Sequence, residues 1–242
     1  MTWLGHAMEL RNRLFKVSIA IFLGMLVGFF LIQYRDYAIL RYVIEYFTFG
    51  KGLQTDDVTE SFTNIVQIAL GIGFAFAMPV LVYQIMAFIV PGLTVRERRI
   101  LFLTLPLIIL CFIGGLAFGW FVTLPAAFKW LLGIGPDIIE NQPTFDGFTS
   151  FFLRLMLANG VVFELPLIVY SVIWLGAVER ATLAKFRRYA VLVIVIVSAM
   201  ITPTADPVNL ALVAVPMYLL YELGLLLALI APRRRPPPAL AP

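Results

Sequence analysis

The chain has 242 residues, of which 62% are hydrophobic and only 13% are charged, and its formal net charge is +4. A water-soluble domain is excluded because too few polar residues are present to cover its surface, and disorder is excluded because the apolar content is too high. The composition is typical of a polytopic α-helical membrane protein.

Six apolar segments follow one another along the chain, and each is predicted to be a transmembrane helix. They are 17–32, 65–90, 100–127, 151–175, 189–201 and 208–231. A helix needs about 20 residues to cross the hydrocarbon core, so the first segment is slightly short and the fifth clearly so. We therefore expect the fifth helix to thin the bilayer or to end in a polar pocket.

The connections between these segments differ in length. Residues 33–64 and 128–150 are expected to form long loops, whereas 203–207 forms a tight turn that makes the fifth and sixth helices a short antiparallel hairpin. Gly92 and Gly176 each precede a basic stretch and are predicted to end the second and fourth helices. We expect one six-helix transmembrane domain over 1–231 and a proline-rich, disordered tail over 232–242.

The second and fourth segments share the pattern F-x-x-P-x-x-V-Y, at 76–83 and 163–170. A proline inside a membrane helix frees a carbonyl group and bends the helix. Two such bends in parallel helices predict a curved, concave bundle. A chance match in a largely apolar sequence is the alternative interpretation.

The basic residues indicate the orientation of the chain. Thirteen of the 18 lysines and arginines fall at the N-terminus, at the C-terminus or in the connections on that same side, while most acids fall on the other side. The positive-inside rule then places both termini in the cytoplasm. The first segment resembles a signal peptide but lacks a small-residue cleavage site, so it is predicted to be a retained span. The basic residues flank apolar runs and form no single stripe, so nucleic acid is not an expected partner.

Few residues in this sequence are suited to catalysis or metal binding. With one cysteine, Cys111, and one histidine, His6, the chain lacks the ligands of zinc and iron–sulfur sites and most nucleophile–histidine schemes. The glycines at 71 and 73 lie within a predicted membrane helix and are interpreted as packing residues, not as a nucleotide motif. We therefore predict no catalytic residue, no metal site and no cofactor.

Two acidic residues lie within predicted membrane helices. Glu164 lies about midway along the fourth segment, where an unpaired carboxylate costs several kcal/mol, so it is a functional candidate. The alternative is a neutral Glu164 that is hydrogen-bonded to a neighbouring helix. Arg154 is about 15 Å away along the helix axis, too far for a direct pair. For Glu222, nearer the cytoplasmic end of the sixth segment, a structural role is preferred.

Glu9 and Glu97 are the only acids in the first two cytoplasmic segments, and both lie among arginines. Taken alone, each is typical of a solvated helix charge, and Glu9 is expected to pair with Arg13 one helical turn on. Together they predict a site for a cationic ligand at the cytoplasmic face. Its apolar part would contact Trp3, Leu4 and Phe88.

Several motifs in this order resemble those of one known family. They are H-x-x-E-L-R-x-R-L at 6–14, Glu60-Ser-Phe62, the stretch 79–93, Glu97-Arg98-Arg99, the stretch 160–166, Thr202-Pro203 with Asp206, and Pro216 with Tyr221-Glu222. Between Gly5 and Ala231 they resemble the TatC family, the polytopic subunit of the twin-arginine protein translocase.

The resemblance implies a receptor and not an enzyme. TatC-like proteins bind twin-arginine signal peptides of folded cargo proteins at the cytoplasmic face. Glu9 and Glu97 would then be the acidic pair for the two guanidinium groups, with Leu10, Arg11 and Phe88 in the same patch. An arginine side chain presents a planar fork that matches a carboxylate, which a lysine does not.

The resemblance also implies partners and a location. The chain would form a hetero-oligomer with single-span TatA-like and TatB-like proteins in the cytoplasmic (inner) membrane of a prokaryote, with export driven by the proton-motive force. Glu164 would be the family's buried acid, facing a membrane pocket where these partners bind. Thr202 and Asn209 would belong to the polar partner site by the short hairpin.

A different class of protein is the alternative. In a proton-coupled secondary transporter of a small solute, Glu164 would be the coupling carboxylate and the bent helices the gate. Inverted repeats would favour such a transporter, whereas the repeated pattern lies in parallel helices.

Overall fold

The structure, a computed structural model, describes residues 3–57, 59–89, 95–133, 143–174, 176, 178–202 and 206–230. In these ranges the chain forms helices joined by turns, and the only bridge between extended segments there joins Gln54 to Thr144. The predicted all-α class is confirmed.

The described residues contain α-helices and one π-helical segment, Gly119–Thr123, which joins two of them. In chain order the α-helices are α1 (Trp3–Gln33), α2 (Ala38–Thr48), α3 (Glu60–Ile89), α4 (Val95–Phe118), α5 (Leu124–Gly133), α6 (Phe145–Val162), α7 (Leu165–Trp174), α8 (Arg180–Lys185), α9 (Arg187–Ile201) and α10 (Pro207–Ile230).

Five helical stretches in the described ranges are long and apolar enough to cross a membrane. They are Ala7–Gln33, Glu60–Phe88, Thr104–Gly133, Phe145–Trp174 and Pro207–Leu229. They correspond to the first, second, third, fourth and sixth predicted segments. The fifth segment forms α9, which has 15 residues and spans about 22 Å. It is therefore short, as predicted, and it does not add a sixth full-length span.

The limits of the outer predicted elements need correction. The first segment is not short, because α1 begins at Trp3 and has 31 residues, continuing through the polar residues that precede the apolar run. The expected loop 33–64 contains α2 and the first turn of α3, and the expected loop 128–150 contains the end of α5 and the start of α6. Apolar runs mark the part of a helix that lies in lipid, whereas the backbone hydrogen bonds continue beyond it.

The fourth segment is not one helix, and this corrects the placement of Glu164 within a continuous helix. α6 ends at Val162 and α7 begins at Leu165. Pro166 has no N–H to donate to the carbonyl of Val162, and its ring clashes with that carbonyl in a continuous helix. Pro79, in the matching motif, lies inside the uninterrupted α3. The shared sequence pattern therefore gives two different backbones.

α1 and α3 pack antiparallel with their backbones in close contact. A Cβ atom added to Gly73 would lie 2.5 Å from the Met25 nitrogen and 2.7 Å from the Ile21 carbonyl oxygen. One added to Gly28 would lie 2.9 Å from the carbonyl oxygen of Ala69. This approach requires glycine, as expected where membrane helices pack through small residues. The interpretation of the glycines at 71 and 73 as packing residues is confirmed.

The end of the bundle that carries α2 is fixed by one carboxylate and one aromatic ring. Glu60 accepts hydrogen bonds from the backbone N–H groups of Asp56, at 2.6 Å, and Asp146, at 2.7 Å, and so joins the start of α3 to the start of α6. Phe47, fully buried at the end of α2, contacts the rings of Trp120, Phe128 and Phe152. These contacts hold α2 against the membrane helices.

One predicted helix end is confirmed and other features lie outside the described residues. Gly176 has a φ of 74°, and its N–H donates to the carbonyl of Ile173, so it ends α7 in the left-handed conformation that glycine adopts readily. Gly92, the turn at 203–205 and the tail at 232–242 are not among the described residues.

Candidate functional site

Glu9 and Arg13 form an ion pair on α1. Oε1 of Glu9 accepts hydrogen bonds from Nε of Arg13 at 3.1 Å and from its Nη2 at 2.5 Å. The pair predicted from the i,i+4 spacing is confirmed. Oε2 of Glu9 makes no hydrogen bond to the described part of the chain, so one carboxylate oxygen can accept a further donor.

Arg13 also joins α1 to α3. Its Nη1 donates to Oε1 of Gln84 at 3.3 Å, and the Gln84 side chain is buried. The motifs in the sequence do not single out Gln84. An amide side chain in the largely apolar second half of α3, one turn before Phe88, is the available signal, because such a group needs a hydrogen-bonding partner.

The register of α1 against α3 places Phe88 at the level of Glu9. Three contacts define this register: Gly28 with Ala69, Gly24 with Gly73, and Arg13 with Gln84. In each pair, moving back by a number of residues along α1 corresponds to moving forward by the same number along α3. Continuing by one turn brings Glu9 level with Phe88, which is half-buried. Leu10 and Arg11 follow Glu9 on α1, and both are exposed. The structure therefore brings these four residues to one end of the bundle.

Glu97 lies in the first turn of α4, which begins at Val95. The connection 90–94 and the side chains of 95–103 are outside the described residues, as are the side chains of Trp3 and Leu4. The pairing of Glu9 with Glu97 in one site stays a prediction.

A concavity of about 440 Å³ opens on α1 beside the ion pair. It is lined by Gly5, Met8, Glu9, Asn12, Arg13 and Lys16. The lining combines one carboxylate with two cationic side chains. A guanidinium group that enters this concavity meets a carboxylate whose orientation Arg13 already fixes.

Glu164 lies at the break between α6 and α7. Its side chain is buried, and its Oε1 has no hydrogen-bonding partner in the described part of the chain. The carboxyl group faces α4 near Cys111 and Phe112, and no ion pair to it occurs among the described residues. An acceptor buried in this way costs free energy until a donor reaches it.

Asn159, five residues before Glu164, has its own hydrogen-bonding partners. Its Nδ2 donates to the carbonyl of Leu155 at 2.7 Å, and its Oδ1 accepts from the hydroxyl of Thr123 at 3.2 Å. Thr123 belongs to the π-helical segment, so this bond joins α6 to the third span. A Cβ atom at Gly115 would clash with the carbonyl oxygen of Asn159. These close contacts position the helix end that carries Glu164.

Thr202 and Asn209 lie at the end of α9 and in the first turn of α10, on either side of residues 203–205. Thr202 ends α9 and donates to the carbonyl of Ser198 at 2.6 Å, while Asn209 donates its backbone N–H and its Nδ2 to Asp206 at 2.8 and 2.9 Å. Both side chains are buried. Asp206 therefore caps the start of α10.

Glu164 is distant from this turn. Gly224 of α10 packs against Pro166, so the level of Glu164 lies about 20 Å along α10 from Asn209. The structure therefore places Glu164 well away from Asn209 along α10.

Glu222 has several partners. Arg187 donates to its two oxygens at 2.7 and 2.9 Å, and the hydroxyl of Tyr218 donates to it at 2.9 Å. These contacts join α9 to α10 and support the structural role expected for Glu222.

Comparison with known proteins gives consistent matches over almost the whole chain. The family model described as Sec-independent protein translocase protein (TatC) matches residues 5–216. The translocase protein TatC of Carboxydothermus hydrogenoformans is 34% identical over 229 residues, covering 94% of this chain and 93% of the relative. That of Aquifex aeolicus is 34% identical over 232 residues, covering 95% of each chain.

The fold matches a solved structure as well. A crystal structure of the twin arginine translocase receptor TatC superposes with a TM-score of 0.81 at 35% sequence identity, covering 93% of this chain and 99% of that one. The five long apolar helices agree with a protein that crosses the membrane several times. This chain therefore belongs to the TatC family, the non-enzymatic polytopic membrane components of the Sec-independent, twin-arginine protein translocase.

Proposed function

We propose that the end of the bundle that carries Glu9 binds the twin-arginine segment of signal peptides, and that the chain is the receptor through which folded cargo enters its translocase. The observation that carries this proposal is the ion pair of Glu9 with Arg13. Arg13 is also hydrogen-bonded to Gln84 of α3. Here the protein already holds one guanidinium group against one carboxylate.

The geometry of this pair suits a second guanidinium group. Arg13 uses only Oε1 of Glu9, so an incoming arginine can bind Oε2, or can take the place of Arg13 at Oε1. Charge-assisted hydrogen bonds between arginine and carboxylate are about twice as strong as neutral ones. The exposed Leu10 and the half-buried Phe88, at the same level, provide apolar surface for the residues that follow the arginines.

The surrounding charge favours a ligand with more than one point of attachment. Arg11, Arg13 and Lys16 lie near Glu9 and repel a lone cation, so binding requires both arginines and an apolar segment. Glu97, in the first turn of the helix that follows α3, is the proposed carboxylate for the second arginine.

Peptide binding by Glu9→Gln and Glu97→Gln variants tests the proposal. A fluorescent twin-arginine signal peptide is titrated against purified protein in detergent, with a twin-lysine peptide for comparison. Each substitution removes one charge-assisted contact of about 1.5–3 kcal/mol, so each is expected to weaken binding by roughly 10- to 100-fold.

Glu179→Gln is the matched control, since Glu179 is an exposed acid before α8 that caps no helix through its side chain. It is expected to leave the dissociation constant unchanged. If both test variants bind the twin-arginine peptide as the unsubstituted protein does, or if the twin-lysine peptide binds equally well, the proposed site is wrong.

We also propose that the chain assembles with TatA-like and TatB-like single-span proteins, in a cytoplasmic membrane whose proton-motive force drives export. The support is the unpartnered Oε1 of Glu164, a buried acceptor that a polar side chain of a partner helix can reach. The short hairpin of α9 and α10, with Thr202 and Asn209 at its turn, is the second proposed contact. The basic residues support the orientation with both termini in the cytoplasm.

A further inference from the structure

Two adjacent pockets lie on either side of Leu40 of α2. The first, about 380 Å³, is open and is lined by one face of α2 and by the turn after it: Tyr37, Leu40, Arg41, Ile44, Glu45 and residues 50–52. Its charged groups are therefore Arg41, Lys51 and Glu45. We call it the charged pocket.

The second pocket, the apolar slot, is narrower and has almost no polar surface. It has a volume of about 270 Å³ and lies between α2 and the membrane helices α1, α3, α4 and α6. Residues that line it include Ile32, Leu40, Ala75, Leu116 and Phe152. Leu40 lines both pockets, so the charged pocket and the apolar slot adjoin.

The exposed face of α2 places this junction at the membrane surface. Ile39, Tyr42 and Tyr46 are 49%, 62% and 43% exposed, although all three are large and apolar or amphipathic. Tyrosines concentrate where lipid headgroups meet acyl chains, because the ring is apolar and the hydroxyl is hydrated. At the membrane surface, a charged pocket beside an apolar slot matches a phospholipid, in which a charged headgroup is joined to apolar acyl chains.

We propose that the charged pocket and the apolar slot together bind one zwitterionic phospholipid, such as phosphatidylethanolamine, from the leaflet on the α2 side. The phosphate lies between Arg41 and Lys51, the ammonium group faces Glu45, and one acyl chain passes Leu40 into the apolar slot. Nothing in this site involves the residues proposed to bind the signal peptide.

The charges of the pocket favour this ligand. Arg41 and Lys51 are two of the five basic residues that lie opposite the side where basic residues concentrate. Arginine and lysine at a membrane surface are the usual contacts of lipid phosphate. Glu45 in the same lining opposes a purely anionic headgroup and matches a headgroup that carries an ammonium group beside its phosphate.

The dimensions of the slot favour a hydrocarbon chain over a protein helix. An apolar cavity of about 150 Å³ holds one benzene molecule, so this slot has room for roughly two such rings in line. A helix with its side chains is about 10 Å across and does not fit into a space of that size. A lipid chain is also the material that surrounds the slot in the membrane.

Native mass spectrometry of the purified full-length protein tests the proposal, with phosphatidylethanolamine, phosphatidylglycerol or diacylglycerol added to the detergent. One phosphatidylethanolamine molecule is expected to remain bound, with phosphatidylglycerol weaker and diacylglycerol weakest. The double variant Arg41→Gln, Lys51→Gln is expected to bind phosphatidylethanolamine about 10- to 30-fold more weakly, because two contacts to the phosphate are lost.

Two further variants separate the parts of the site. Ala75→Phe fills the apolar slot and is expected to weaken binding of all three lipids by about tenfold or more. Ala117→Phe adds the same ring at an exposed position of α4 and is expected to change nothing. Glu45→Gln is expected to abolish the preference for phosphatidylethanolamine over phosphatidylglycerol.

The double variant Lys129→Gln, Arg154→Gln is the matched control for charge, since both residues are exposed on the same side and line neither pocket. Equal lipid retention by this control and by the Arg41, Lys51 variant overturns the proposal. So does a phosphatidylethanolamine affinity no higher than that of diacylglycerol. A crosslink from position 75 to a partner helix, without bound lipid, would assign the slot to a protein instead.

Discussion

At the scale of single residues, the two acids proposed to bind partners, Glu9 and Glu164, differ in their surroundings. Glu9 is part-exposed and has a cationic partner one turn away, whereas Glu164 is buried and leaves Oε1 without a donor. A paired acid at the membrane surface can exchange its partner for a ligand at small cost. An unpartnered buried acceptor instead increases the free energy gained when a donor arrives.

Glu164→Leu is therefore expected to weaken association with a single-span helix that carries a polar side chain. A hydrogen bond between membrane helices contributes up to about 1–2 kcal/mol, so the dissociation constant should rise by roughly 5- to 30-fold. The dissociation constant is measured by fluorescence energy transfer between the labelled protein and a labelled TatB-like helix in lipid nanodiscs.

Glu164→Gln retains an acceptor oxygen and should lie between the leucine variant and the unsubstituted protein. Glu179→Gln, at an exposed position, should associate normally. Normal association of the leucine variant would remove Glu164 from the partner site, with no consequence for peptide binding at Glu9.

Residue contacts could be predicted from the sequence only where they are local. The Glu9–Arg13 pair follows from the i,i+4 spacing on any helix. The bond from Arg13 to Gln84 depends on the register of α1 against α3, which is set by the contact of Gly24 with Gly73 and not by any pattern within one helix. The distance between Glu164 and Asn209 is likewise a property of helix packing.

At the scale of elements, Pro166 shows how one residue decides whether a span is continuous. Its missing N–H coincides with the end of α6 at Val162, while Pro79 leaves α3 continuous. In α3, Pro79 lies between two contacts with α1: the glycine contact at Gly73 before it and the bond of Gln84 to Arg13 after it. The effect of a proline in a membrane helix thus depends on the helices that pack against it.

Pro166→Ala is expected to join α6 and α7, because the restored N–H can donate to the carbonyl of Val162. Spin labels at the exposed positions Arg154 and Ile168 should then move apart toward the roughly 21 Å separation along a straight helix. Double electron–electron resonance measures this distance.

Pro79→Ala, with labels at the exposed Leu70 and Tyr83 of α3, is the matched control and should show no change in separation. An unchanged distance in the Pro166 variant would mean that contacts of α7 with α10, such as that of Pro166 with Gly224, hold the break without the proline ring.

The elements were predictable where composition alone defines them. Long apolar runs identify five spans, and the shortness of α9 is visible in the length of its run. α2 was missed because an amphipathic helix at the membrane surface has no apolar run. The start of α1 could not be located from the apolar run because charged residues interrupt its first turns, and hydropathy does not report backbone hydrogen bonding.

At the scale of the whole molecule, the two ends of the bundle differ in chemistry. One end carries Glu9 and Arg13 in an ion pair, and the other carries α2 with its tyrosines and the contacts of Glu60. Membrane insertion in one orientation places these ends in different compartments. The orientation therefore decides whether the proposed peptide site at Glu9 faces the cytoplasm.

Cysteine labelling tests the orientation. With Cys111→Ala as background, Asn12→Cys and Gly52→Cys place single thiols at exposed positions near the two ends. A membrane-impermeant maleimide added to intact cells is expected to label the Gly52 variant, and the Asn12 variant only after permeabilisation. The reverse pattern would invert the topology and exclude a cytoplasmic receptor site at Glu9.

The direct backbone contact of α1 with α3 has a mechanical consequence. Because no side chain separates Gly73 from Met25, neither helix can rotate or slide without displacing main-chain atoms of the other. The two helices are therefore expected to move as one rigid unit. One end of α1 carries Glu9, and the other end carries Ile32, which lines the apolar slot. A displacement at the Glu9 end is therefore expected to shift the wall of the apolar slot at the other end as well.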